Sequence, residues 1–241
     1  MVSTVNSWSQ TTGTVTFETT FAGGFETFNV TGNATVSGGS WTHLSNTTSE
    51  ASRLRVDVGG DFSLASGATI TGKELGYNTF TGPGGAVGGG YEEGGSYGGI
   101  GGGSAELPYG SVETPTSIGS GGTTSKGGGA VYLTVGGATD IDGTVNVDSG
   151  DNGNSGHGSG GSIYIETASI TGDGTLSASC GLAGWGSRGR GGGGRIAVQL
   201  TGAGEDFSSF LSTATVETIT RNLNGAKGGA GTVYLADETG A

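Results

Sequence analysis

Four short runs with one pattern of alternating apolar and polar residues recur along the chain: AVYLTV at 130–135, GSIYIET at 161–167, GRIAVQL at 194–200 and GTVYLAD at 231–237. Their leading β-branched residues, Val131, Ile163, Ile196 and Val233, stand 32, 33 and 37 residues apart. Each run is entered through a glycine cluster, and between successive runs lie further strand-like pieces, so the unit carries about three short strands. An earlier copy, LRVDVGGDFSLASGATIT at 54–71, superposes with a constant offset of 77 that sets Val58 on Val135, Leu64 on Ile141 and Ile70 on Val147. A steady period with several β segments per unit predicts an architecture in which each unit covers only its neighbours. The expected fold class is all-β, a parallel β-helix (solenoid), with residues 1–241 forming a single β-helix domain.

Taken in order, residues 1–24 are polar and threonine-rich and read as an N-terminal extension or cap with one strand at Gly13–Glu18. The first coil starts at Glu26 with Phe28, Val30, Ala34, Val36, Trp41 and Leu44, and Phe21, Phe25, Phe28 and Trp41 are expected to close the end of the stack. Leu54, Val56 and Val58 open the second coil. Residues 76–129 then leave the pattern as a glycine-rich insertion. Chains of this composition can run as extended three-residue-per-turn strands held by close backbone contacts, so the insertion is expected to be ordered and polyglycine-II-like, with a flexible linker as the alternative. The later coils point Val131, Leu133, Val135, Ile141, Val145 and Val147 inward, then Ile163, Ile165, Ile170, Leu176, Ala178 and Cys180, then Ile196, Val198 and Leu200, with Val233 and Leu235 opening a partial coil. A helical turn is expected near Phe207–Leu211.

Glycine fills 57 positions and only 32% of the chain is apolar, a composition that would suit disorder were the aliphatic residues not kept in register. The net charge of −12 argues against nucleic acid, because so few Lys and Arg cannot neutralise a run of phosphates. An acidic surface rich in Ser, Thr, Gly and Asn fits an extracellular or cell-surface location. The opening MVSTVNSWSQ lacks a basic segment and an apolar core, so a leader is absent from this chain, and no run is long enough for membrane insertion. The single Cys180 excludes an internal disulfide framework and falls on the inward parity, as a buried thiol does. Sequons at Asn29, Asn33 and Asn46 are read as chance matches in a Thr/Asn-rich stretch.

One resemblance is carried by the composite of WTHLSNTTSEASRLRVDVGGDFSLASGATITGKELGY, GGSYGGIGGG, GSGG, GGGAVYLTVGG, GSGGSIYIETASITGDGTLSAS and GGGGRIAVQL. From about Gly39 onward the chain resembles the glycine-rich parallel β-helix repeat regions of very large secreted or surface bacterial proteins, adhesin-like in character. The resemblance implies an extracellular structural or adhesive module and brings no catalytic residues.

Asp140 and Asp142 project from one strand face about 7 Å apart, a spacing glycoside cleavage accepts. Their expected neighbours, Ser169 and Thr171, build no sugar site, so a solvated face is the reading. His43 and His157 fall in different coils, and Arg53, Arg55, Arg188, Arg190 and Arg195 form no cluster that would serve a lyase. The turn DSGDNGNSG offers Asp148, Asp151, Asn152 and Asn154 as oxygen ligands that calcium would take, or as a turn formed for local reasons. Arg55, Tyr132, Tyr164 and Tyr234 occupy equivalent outward positions, with Ala197 interrupting. They form a ladder that either binds glycans or lies beneath the insertion. A role in binding ice is discounted because Thr134, Thr144 and Thr175 do not make one column. The expectation is thus a non-enzymatic structural or adhesive module, a rod segment or filament subunit. Its partners would be itself, by end-to-end stacking, or surface glycans. A carbohydrate-binding or polysaccharide-degrading β-helix protein is the alternative.

Overall fold

The computed structural model describes residues 3–88, 93–104, 106–151, 156–182, 189–220 and 227–237. Three short strands, β1 (Thr4–Val5), β2 (Trp8–Gln10) and β3 (Thr14–Phe17), open the chain. The phrase returns as β4 (Phe28–Val30), β5 (Ala34–Val36) and β6 (Ser40–His43), and again as β7 (Leu54–Val58), β8 (Phe62–Leu64) and β9 (Thr69–Thr71). In the next two units the first two strands run on as one: β10 (Ala130–Ile141) with β11 (Thr144–Asn146), and β12 (Ser162–Thr171) with β13 (Thr175–Ser177). The last described elements are β14 (Arg195–Leu200), the short helix α1 (Ser208–Thr213), β15 (Thr215–Glu217) and β16 (Thr232–Ala236). The helix falls where the sequence places a turn.

The fold is nearly all β, and its named strands pair only in parallel, in two sheets. The ten-stranded sheet runs β1-β4-β7-β10-β12-β14-β16, with β2, β5 and β8 joined to its flank; the six-stranded sheet runs β15-β13-β11-β9-β6-β3. Each unit therefore adds one rung to each sheet. Val131 pairs with Ile163, Ile163 with Ile196 and Ile196 with Val233, so the recurring residues found in the sequence form one row. Alternation turns Leu54, Val56, Leu133, Ile165 and Val198 of the large sheet toward Trp41, Ile70, Val145 and Leu176 of the small one, and these side chains make one buried cluster. Full burial of each such residue stabilises by about 1.5–3 kcal/mol before chain entropy is charged against it.

Glycine sets the spacing between rungs just ahead of the core strand. A Cβ on Gly161 would lie 1.9 Å from the carbonyl oxygen of Gly129, one on Gly194 2.1 Å from that of Gly161, and one on Gly231 1.9 Å from that of Gly194. At the same place the amide nitrogens of Ser162, Arg195 and Thr232 donate to those three carbonyls, at 3.0, 2.9 and 3.1 Å. Any side chain there would push the rungs apart. That close approach is why a glycine cluster precedes each of the four runs from Ala130 onward.

Three expectations need correction. The offset of 77 holds for Val58 with Val135 and Leu64 with Ile141, but Ile70 pairs with Val145, not Val147. The turn after Leu64 is two residues longer than the turn after Ile141, so the third strand slips by one full alternation and keeps its inward parity. Residues 4–17 are a complete set of rungs beneath β4, β5 and β6 rather than one strand in an extension. The end of the stack is accordingly closed by Trp8 and Phe17, which lie 5.5 and 5.4 Å from Phe28, with Phe25 beside them around a cavity of about 200 Å³. Phe21 lies elsewhere, against Tyr77 and Ile118. Val233 faces the core row but is 44% exposed, because β16 is the outermost described rung of its sheet.

Candidate functional site

The outward side chains of the large sheet are fixed by the same alternation that buries the core. Arg55 pairs with Tyr132, Tyr132 with Tyr164, Tyr164 with Ala197 and Ala197 with Tyr234, so the structure brings the expected ladder together in the expected order. The Tyr132 and Tyr164 rings are 4.6 Å apart. The Arg55 guanidinium sits 4.8 Å from the Tyr132 ring and that of Arg53 5.7 Å from it, in cation–π range. Arg55 also lies 3.8 Å from the Asp57 carboxylate.

The middle of this ladder is covered. Tyr164 is 2% exposed, whereas Tyr132, Tyr234 and Arg55 are half-buried. Its cover is the glycine-rich segment. The Tyr97 hydroxyl meets Ser162 Oγ at 2.6 Å, and Arg195 donates from Nε and Nη2 to the Tyr109 carbonyl at 3.1 and 2.9 Å. Gln199 Nε2 donates to the Glu113 carbonyl at 3.0 Å, and Ser162 Oγ donates to the carbonyl of Ser117. Tyr109 donates to the Ile118 carbonyl at 2.6 Å, and the Ile118 amide donates to Glu50 at 3.1 Å. Further out the segment joins the glycine clusters directly: Gly98 and Gly99 donate to the Gly193 carbonyl, Gly192 to Gly95, and Gly229 to Ile100. Tyr97, Tyr109 and Ser162 were not singled out by the sequence, since period-two reasoning stops where the glycine runs begin.

Electrostatics follow from that burial. Burial pushes the Tyr97 phenol up to about 12, and Tyr77 likewise. Burial and then the adjacent Glu166 carboxylate, 2.9 Å from its hydroxyl, hold Tyr164 protonated well above the ordinary range. Burial also raises the Glu50 carboxyl, against the pull of its hydrogen bonds and of Arg53. His43 is 2% exposed; its Nδ1 meets the Leu44 carbonyl at 2.8 Å and its Nε2 accepts from the Ala130 amide at 3.3 Å. Burial lowers it to about 4. His157 is buried too and lowered by burial and then by Arg190.

The remaining candidates are placed apart. Asp148 is buried and accepts from Ser177 Oγ at 2.6 Å and the Ser179 amide at 2.7 Å. Asp151 forms an ion pair with Lys73 and accepts from the Leu182 amide at 2.6 Å. Asn152, Asn154 and Arg188 lie outside the described residues. Among the described residues no group of three or more His, Cys, Asp or Glu could hold a metal ion. Asp140 accepts from Thr171 and Asp142 from the Asp173 amide, each on the solvent side. Cys180 is buried on the inward parity. The sequon residue Asn46 is buried, with its amide donating to Ser52 and Leu75 and accepting from Ala51 and Ser52, which leaves no room for a glycan. No helix among the described residues is long and apolar enough to cross a membrane. No family model matches the chain, and neither a curated protein nor a solved structure matches it.

Proposed function

We propose that the chain is a non-catalytic structural or adhesive module of an extracellular surface protein, a rod segment or filament subunit built as a parallel β-helix. The observation that carries this reading is the continuous parallel pairing from β1 to β16 over one apolar interior, which lengthens by one rung per unit. Such a stack is stiff because its hydrogen bonds run along its length and each unit is clamped by the next. The glycine-to-glycine hydrogen bonds of the insertion support a polyglycine-II-like bundle fastened to one face, which widens the rod. The resemblance to glycine-rich surface repeats supports the location. Small-angle scattering and electron microscopy test the reading: an elongated particle is expected, and concentration-dependent fibres would identify end-to-end stacking. A compact, isotropic particle would refute it.

A carbohydrate-binding protein is the second reading. It is favoured by one observation: Tyr132 is stacked between Arg55 and Tyr164 and keeps part of its ring accessible. Binding on a glycan array that is lost in Tyr132→Ala would support it, and release of unsaturated sugar products would extend it to a lyase.

A further inference from the structure

The outward face of the small sheet carries a second array of aligned side chains. Its six strands are three or four residues long, and in each the second residue, Val15, Trp41, Ile70, Val145, Leu176 or Val216, packs on the core. The flanking residues lie on the outer side in two columns, open except at Ser177, which is 2% exposed with its hydroxyl donated to Asp148. One reads Thr14, Ser40, Thr69, Thr144, Thr175, Thr215; the other reads Thr16, Thr42, Thr71, Asn146, Ser177, Glu217. No register shift interrupts either column. Thr134 belongs to the large sheet, while Thr144 and Thr175 are direct neighbours here.

Three properties narrow what this face can bind. Rungs about 4.8 Å apart and alternate residues about 6.7 Å apart make the hydroxyls a two-dimensional grid, which only a ligand with its own repeat could use at every position. In a chain of net charge −12 the grid bears one ionisable side chain, Glu217 on the last strand, so its charge suits a neutral ligand and offers nothing to an ionic one. The threonines are also preorganised. A β-branched side chain in a strand holds a restricted χ1, so oriented hydroxyls and methyls cost little to immobilise. The hydroxyls of Thr14, Thr42, Thr69, Thr144 and Thr175 donate to no group in the protein and are free for an external lattice. No aromatic ring lies on the grid, and stacking of sugar faces would require one.

We infer that the threonine grid of the small sheet binds ice, its hydroxyls hydrogen-bonding into the oxygen lattice and its methyls seated between rows. The inference is independent of the rod reading, since it needs one face and no assembly. Its test is thermal hysteresis and partitioning into a growing ice front, measured on the full chain. Three variants accompany the wild type: Thr69→Tyr with Thr144→Tyr in the middle of the grid, Thr144→Lys alone, and Thr35→Tyr on the exposed outer position of β5 in the other sheet. Wild type and Thr35→Tyr are expected to shape ice and enter it. Thr144→Lys and the double variant should lose hysteresis while keeping the wild-type circular dichroism; Thr144→Lys decides the matter if the double variant does not fold. Absence of hysteresis in the wild type would overturn the inference, as would hysteresis unaffected by folded Thr144→Lys. So would a wild type that dimerises, or sediments with insoluble polysaccharide, through this face without binding ice.

Discussion

His43 makes the stability of the fold depend on pH in a direction that can be worked out from its surroundings. The ring lies inside the stack with the tautomer fixed from both sides: Nδ1–H donates to the Leu44 carbonyl, and bare Nε2 accepts from the Ala130 amide. Protonation would set a second N–H against that amide and place a charge in the interior, so burial holds the imidazole at about 4 against an ordinary 6.5. Between these two values the unfolded chain binds a proton that the native state refuses. Stability is therefore complete above pH 6.5 and is lost as pH falls toward 4. At about 1.4 kcal/mol for each tenfold change in proton affinity, the loss is roughly 3 kcal/mol. Carboxylates titrate in the same range, and Glu50 acts with the opposite sign because its pKa is raised. The assay is therefore a difference: urea unfolding of wild type and His43→Gln at half-unit steps of pH. The wild-type curve is expected to fall away from the variant's below pH 6.5, and the imidazole resonance of His43 should titrate near 4. Parallel curves, or a titration near 6.5, would refute the reasoning.

Gly161→Ala places a methyl 1.9 Å from the Gly129 carbonyl oxygen and should cost about 3 kcal/mol or more by thermal or denaturant unfolding, although alanine is the smallest possible change. Tyr77 and Tyr97, held to about 12, contribute stability that is present below pH 10 and lost as pH rises through 12; ultraviolet titration should show their phenolates emerging only with unfolding. Tyr97→Phe removes the hydroxyl on Ser162 and should cost about 1 kcal/mol in the same unfolding assay. Because Asp148 is spent on Ser177 and Ser179 and Asp151 on Lys73, calcium and chelators should leave the Tm unchanged, and a calcium-dependent rise would restore the turn at 148–154 as a binding site.

The rows of the large sheet were legible because a strand buried on one face leaves a period of two, and stacking copies the period into every unit. The same logic gave the Arg55, Tyr132, Tyr164 and Tyr234 ladder without any contact being seen. It failed where turn length varies: two extra residues after Leu64 shift a pairing while leaving its parity intact, so the alternation cannot report the slip. It found β3 in the alternation at 13–18 but failed at residues 4–10, where Val5 and Trp8 stand among polar neighbours. Strands of three residues announce their outer columns through two positions each, and those columns become visible only once sheet membership separates Thr144 from Thr134. The packing of the insertion was expected, but its partners were not, since Tyr97 and Tyr109 are placed by glycine backbone geometry that carries no side-chain pattern.

The segment that follows β9 grips strands made long after it. Tyr97 holds Ser162, and Tyr109 and Glu113 hold Arg195 and Gln199 across 86 residues of chain. An array of units that touch only their neighbours frays from its ends and can mature one unit at a time. Here the C-terminal rungs cannot peel away without releasing a strap anchored near the start, which joins distant units into one cooperative event. A ribosome would feel the reverse of this: Tyr97 can close once Ser162 emerges, but the Tyr109 end of the strap stays open until Arg195 and Gln199 follow, and its shelter in that interval must come from elsewhere.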